Sequence, residues 1–210
     1  MKMSRLAVLE IAVAMLVFST PLRAVLILTG DPAFGANTLT IDTSSGLAWL
    51  NVTLTAGLSY NQVLAATLPG GEFQGFRYAT APEVLTLYND AGIPGRGFYP
   101  LSSPAVPAIQ SLVSLVGVTF TQYGNPGVIG ITGADVLSGT SQLSSSLICT
   151  IENGTTGYLV TGVPSDATAY GVTYGAPTVG SWLVYSVPEP ASWCIGALCG
   201  LSLLLSRRGK

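Results

Sequence analysis

Phe76-Arg77-Tyr78-Ala79-Thr80-Ala81-Pro82-Glu83 is the stretch on which the reading of the fold turns. It sets an aromatic-Arg-x-x-Thr segment directly before Thr80-Ala81-Pro82-Glu83, a capping box of the Thr-x-x-Glu form. Pro82 falls in the first turn of the expected helix, where its missing N–H is harmless. Val84, Leu85, Leu87, Tyr88 and Ala91 then recur at helical spacing and form the face expected to be buried. Gly92 stops the helix and Pro94 prevents its continuation. Arg77 just ahead of the box is expected to bridge to a carboxylate such as Glu83 or Asp90. The other reading is contact with a ligand.

Working upstream, Ser59-Tyr60-Asn61-Gln62 is a second capping box, and Tyr60, Val63, Leu64, Thr67 and Leu68 follow at helical spacing up to Pro69-Gly70-Gly71. Before it, Thr38–Asp42 alternates polar and apolar residues, the period of a half-buried strand. Thr43-Ser44-Ser45-Gly46 is a turn and Leu47–Leu50 resumes an apolar strand, so a hairpin is expected. Val25–Leu28 begins a further strand. Downstream, Ser103-Pro104 opens a third helix with Ile109, Leu112, Val113 and Val116 on one side and Gly117 as its stop. Beyond Gly117 the period changes to two. Strands are expected at 118–122, 128–132, 146–152, 157–163 and 180–187, with loops at 134–145 and 164–179. Helices early and strands late predict an α+β fold, one domain with two to three short helices and an antiparallel sheet.

The two ends read differently. Residues 1–24 have the form of a secretory signal peptide: Lys2 and Arg5, an apolar stretch Leu6–Phe18, and a cleavage region ending at Ala24. Glu10 interrupts the apolar stretch and Leu22 stands where a small residue is usual, so a retained N-terminal anchor is the alternative. At the other end Pro188-Glu189-Pro190 precedes 16 uncharged residues, Ala191–Ser206, and then Arg207-Arg208-Gly209-Lys210. As a helix that run spans about 24 Å, short for a hydrocarbon core of about 30 Å but within the modest cost of mismatch. The basic end would stay on the cytoplasmic side. A buried core helix is the alternative, and it gives no reason for the basic cluster.

Between these ends, 25–187 keeps two cations, Arg77 and Arg96, against eight acidic residues and has no Lys. That balance excludes nucleic-acid binding, which needs cations to neutralise phosphates. The whole chain has no His, which removes Ser-His-Asp and Cys-His catalysis. Absence of Lys removes Ser-Lys dyads and Schiff bases. Cys149 is the single cysteine of the span, a buried thiol or one half of an intermolecular disulfide, and it cannot build a zinc site. Asp31, Asp42, Asp135, Glu152 and Asp166 are oxygen donors without calcium-loop spacing. No cofactor is implied and the chain does not read as an enzyme. A carboxylate-based glycan hydrolase is the enzymatic alternative. Trp49, Trp182, Tyr170 and Tyr174 could stack on sugar rings. The two Trp, at strand positions, are better suited to a core, which leaves the loop residues Tyr170 and Tyr174, with Arg77, as the candidate ligand contacts.

The end at 188–210 resembles a PEP-CTERM sorting signal, with its Pro-Glu-Pro box (Pro188, Glu189, Pro190), short membrane helix and basic end (Arg207, Arg208) in that order. The resemblance implies transient recognition by an exosortase, a membrane cysteine protease, and cleavage near Pro188–Pro190. It further implies release or transfer to the surface in a bacterium that makes exopolysaccharide. The expectation is an exported surface or matrix protein, held in the membrane by its tail before cleavage, that binds polysaccharide or builds structure. A permanently anchored envelope protein is the alternative. Separately, Leu39–Gly92 resembles an Lcl-type, C-type-lectin-like family. The carriers are Gly46-Leu47-Ala48-Trp49, the helix from Ser59, Phe76–Thr80 and the helix carrying Glu83. Gly180-Ser181-Trp182-Leu183-Val184 resembles the closing strand, which in that fold pairs with the first. Tyr78-Ala79 replaces the family's Leu-Pro, and its paired cysteines are absent.

Overall fold

A computed structural model describes residues 24–122, 124–133, 142–143, 145–152, 156–160, 170–171 and 175–187. The chain starts with a meander, β1 (Leu26–Asp31), β2 (Gly35–Asp42) and β3 (Leu47–Leu50). A single 3-10 turn at Val52–Thr55 leads to α1 (Tyr60–Ala66), followed by β4 (Arg77–Tyr78), α2 (Ala81–Asp90), β5 (Gly97–Pro100) and α3 (Val106–Val116). The strand-rich half follows: β6 (Phe120–Gln122), β7 (Asn125–Ile131), β8 (Gln142–Leu143), β9 (Ser145–Glu152), β10 (Thr156–Val160), β11 (Tyr170–Gly171), β12 (Gly180–Ser181) and β13 (Leu183–Ser186). Mixed helices and antiparallel sheets make this an α+β fold. The described strands form more than the one sheet expected.

The first sheet is antiparallel, in the order β1-β2-β3-β13-β4. The second runs β12-β7-β9-β10-β5, with β6 also on β7, and its β12–β7 pair is parallel. β8 and β11 make a separate pair, so the two expected loops each contribute a short strand. The expected strand 180–187 is divided. Gly180 and Ser181 pair with Gly130 and Ile131, and from Leu183 onward the chain pairs with β4 and β3. Trp182 sits at the changeover, where its N–H donates to the Ile131 carbonyl at 2.9 Å and its carbonyl accepts from Ala79 N at 2.8 Å. One segment thereby ties both sheets together. It pairs with β3, the Gly-Leu-x-Trp strand, and not with β1.

Alternation along the strands sends residues to two cores. Leu47, Trp49 and Val184 pack with Trp182 against Val84, Leu87 and Tyr88 of α2 and Ile109, Leu112, Val113 and Val116 of α3. Leu39, Leu50 and Leu183 pack on the opposite side with Val63, Phe73, Tyr78, Ile131 and Val179. Both predicted capping boxes close on both arms, at Ser59/Gln62 and Thr80/Glu83. α3 begins after Ala105, where both Ser103-Pro104 and Pro107 sit outside the interior ladder, and it stops at Gly117 with φ 97°. That left-handed backbone, pressed against the Asn51 side chain, admits only glycine. Of the residues at helical spacing along α1, Val63 is buried, whereas Leu64 and the following Leu68 are 43% and 57% exposed. Seven residues give two turns, and Tyr60, Val63 and Ala66 are the helix residues that reach the core. Among the described residues no helix is long and apolar enough to cross a membrane. Both expected apolar end segments, 6–18 and 191–206, lie outside the described residues.

Candidate functional site

β4 pairs with β13 through Val184↔Arg77 and Leu183↔Tyr78, and this places Arg77 at the sheet edge ahead of α2. Its guanidinium grips Glu83 with two bonds, Nη1 to Oε2 at 2.9 Å and Nη2 to Oε1 at 2.6 Å. Nη1 also donates to the Tyr78 carbonyl at 3.1 Å. Glu83 Oε2 further accepts from the Thr80 N–H at 2.8 Å and hydroxyl at 3.0 Å. The bonds from Arg77, and then those from Thr80, hold the Glu83 carboxyl at about 2, well below the usual carboxylate range. Arg77 is thus joined to Glu83 and not to Asp90. Both of its terminal nitrogens are engaged in this clasp, which fastens the sheet edge to the helix start.

The tryptophans are not a sugar platform: Trp49 and Trp182 are 1% and 0% exposed. Of the candidate contacts, Tyr170 is placed by its backbone, which pairs with Leu143. Tyr174 lies outside the described residues, as do Pro188, Glu189, Pro190, Arg207 and Arg208. Cys149 pairs with Leu159 through the backbone ladder of β9 and β10.

A different constellation emerges at the other end of α2. Asp42 ends β2, fully buried, and its Oδ1 accepts from Ser44 N at 3.0 Å while Oδ2 accepts from Ser45 Oγ at 2.6 Å. Asp90 ends α2, close enough to Asp42 for the two carboxyls to feel each other's charge. Burial first, and then the charge of and hydrogen bond with Asp42, raise the Asp90 carboxyl above its ordinary value, with Ser44 opposing. The Asp90 Oδ2 is buried with no hydrogen-bond partner. Asp90 also lines a groove of about 270 Å³ whose walls are Ala24–Leu26, Ala91, Ala108 and the α3 residues Ser111, Leu112 and Leu115. Retaining glycosidases hold their carboxyls about 5–5.5 Å apart and inverting ones further, with the scissile bond between them. Asp42 is wholly buried, so this pair does not flank an open slot for a sugar. Among the described residues no three metal-ligating side chains cluster. The sequence marks Asp42 singly as an oxygen donor and Asp90 as a partner for Arg77. No sequence spacing signals their meeting, which depends on how α2 packs against the meander.

Both ends of the 25–187 span meet on one turn. Val25 N donates to Thr43 Oγ1 at 3.0 Å and its carbonyl accepts from Thr43 N at 3.2 Å. Val187 N donates to the main-chain carbonyl of Gly46, in the same turn, at 2.9 Å. No protein-family model, no curated protein and no solved structure matches the chain.

Proposed function

We propose that the chain is an exported bacterial surface or matrix protein, processed at both ends, that acts by binding or structure and not by catalysis. One observation carries the reading. The Pro188-Glu189-Pro190 box, apolar run and basic end begin immediately after Val187, the last residue tied to the fold by a described hydrogen bond. A cut near Pro188–Pro190 by an exosortase would remove none of the described elements of the domain. A cut after Ala24 would likewise leave β1 whole, since it starts at Leu26. The apolar tail would hold the protein in the membrane until that second cut, and a polysaccharide matrix is its proposed destination.

The test is intact mass spectrometry of the native protein, with its cell fraction recorded. A product running from near Val25 to near Pro188–Pro190 in the medium or matrix is expected. A product still carrying Arg207 and Arg208 in the membrane fraction would instead establish the tail as a permanent anchor.

A further inference from the structure

Hydrolysis of the Ala24–Val25 bond adds water across it, leaving a carboxylate on Ala24 and an α-amino group on Val25. At neutral pH that amine, ordinarily titrating near about 8, is largely a cation. We propose that the groove beside Asp90 is the binding site for this new N-terminus, and that Asp90 takes the Val25 ammonium as its ion-pair partner. The inference rests on leader removal as proposed above.

Three observations converge on it. Val25 and Asp90 line the same groove, so the nascent ammonium is generated at the groove wall, on a residue 52% exposed, and not delivered from elsewhere. The Val25 nitrogen is already fixed, by its bond to Thr43 Oγ1 at 3.0 Å, on the residue next to Asp42. And Asp90 Oδ2 is a buried acceptor with no partner, beside a second buried carboxyl. Asp42 is held by Ser44 and Ser45, but the Asp90 Oδ2 beside it has no donor, and a cation at the groove would offset that cost. The span 25–187 has few cations to spend: no Lys, and of its two Arg, Arg77 is joined to Glu83. Before cleavage, position 25 offers Asp90 a neutral amide. After cleavage it offers a charge, so processing itself would tighten β1 against α2 and α3.

The same lack of Lys makes the test clean, because the Val25 amine is the sole amine of 25–187. The secreted protein is treated at pH 7 with limiting N-hydroxysuccinimidyl acetate, and acetylation at residue 25 is followed by mass spectrometry of the N-terminal peptide. A pairing that raises the amine by about one unit slows acetylation about tenfold. Asp90→Asn, and wild type in urea, should both restore the fast rate. A product starting at Val25 whose wild-type and Asp90→Asn rates are equal overturns the pairing and leaves export standing. A product starting elsewhere overturns the leader cut itself, and the pairing with it.

Discussion

The ring of Trp49 meets that of Trp182 edge-on, with centroids 6.0 Å apart and an interplanar angle of 85°. The contact joins the second strand of the hairpin to the point where the closing segment changes sheets. Gly130 makes room for it, since a Cβ there would lie 2.5 Å from the Trp182 indole nitrogen. Trp182→Ala should therefore cost about 3–5 kcal/mol, the range for emptying an aromatic site in a core. Trp182→Phe should cost clearly less, because the indole nitrogen has no hydrogen-bond partner to lose. Urea denaturation of both variants checks this. Equal losses would mean the indole N–H does have a structural partner.

The Arg77–Glu83 clasp sets the second expectation. Arg77 is half exposed, so its removal by Arg77→Ala should cost at most about 1 kcal/mol. Glu83→Ala also opens the capping box and should cost more, about 1–2 kcal/mol. Arg77→Lys should not restore the loss, since an ammonium cannot make the paired bonds of the guanidinium. Thermal melts of the three variants rank them, and a larger loss for Arg77→Ala than for Glu83→Ala would contradict the assignment.

Glu83 and Asp90 should move stability with pH in opposite directions. The Glu83 carboxyl is lowered to about 2 in the folded chain. Its contribution is fully present above its ordinary value near 4.5 and is lost as pH falls toward about 2. The Asp90 carboxyl is raised. Its folded state prefers the protonated form, so stability is lost as pH rises from the ordinary aspartate range through the raised value. In the chain that keeps its leader, Asp90→Asn should raise the melting temperature at pH 7, and the gain should close as pH drops to about 4. In the processed chain the sign should reverse, since Asp90 then has a cation to hold. An Asp90→Asn variant less stable than wild type with the leader intact would refute the strained pair.

These relationships were unequally legible in the sequence. The capping boxes at Ser59/Gln62 and Thr80/Glu83 could be read because each is local: a side chain and an N–H three residues apart need no knowledge of the rest of the fold. The stops at Gly92 and Gly117 were readable for the same reason. Leu64 and Leu68 keep the helical spacing and are nevertheless exposed, because periodicity shows that a face exists, and only tertiary packing shows whether anything covers it. β5 at Gly97–Pro100 and the division at Trp182 were missed because pairing partners far along the chain create them. Arg77 could be assigned a carboxylate but not the right one between Glu83 and Asp90. Asp42 meeting Asp90 had no signal of either kind.

The final expectation concerns the tail. If the Pro188-Glu189-Pro190 box is read by a protease and not by the fold, changing it should alter processing and leave the domain untouched. Val187 N is the last described donor into the domain, at 2.9 Å from the Gly46 carbonyl, and the box follows it. Glu189→Ala with Pro190→Ala should therefore leave uncut protein in the membrane fraction, retaining Arg207 and Arg208. The melting temperature of the domain should stay within about 1 °C of wild type, as for a surface change that removes no structural contact. Replacing Arg207 and Arg208 by Ala acts on a different step, since loss of the basic end should weaken retention of the C-terminus on the cytoplasmic side. Fractionation followed by mass measurement distinguishes the two. Normal release of the double box variant would refute recognition of the box, whatever the fate of the basic-end variant.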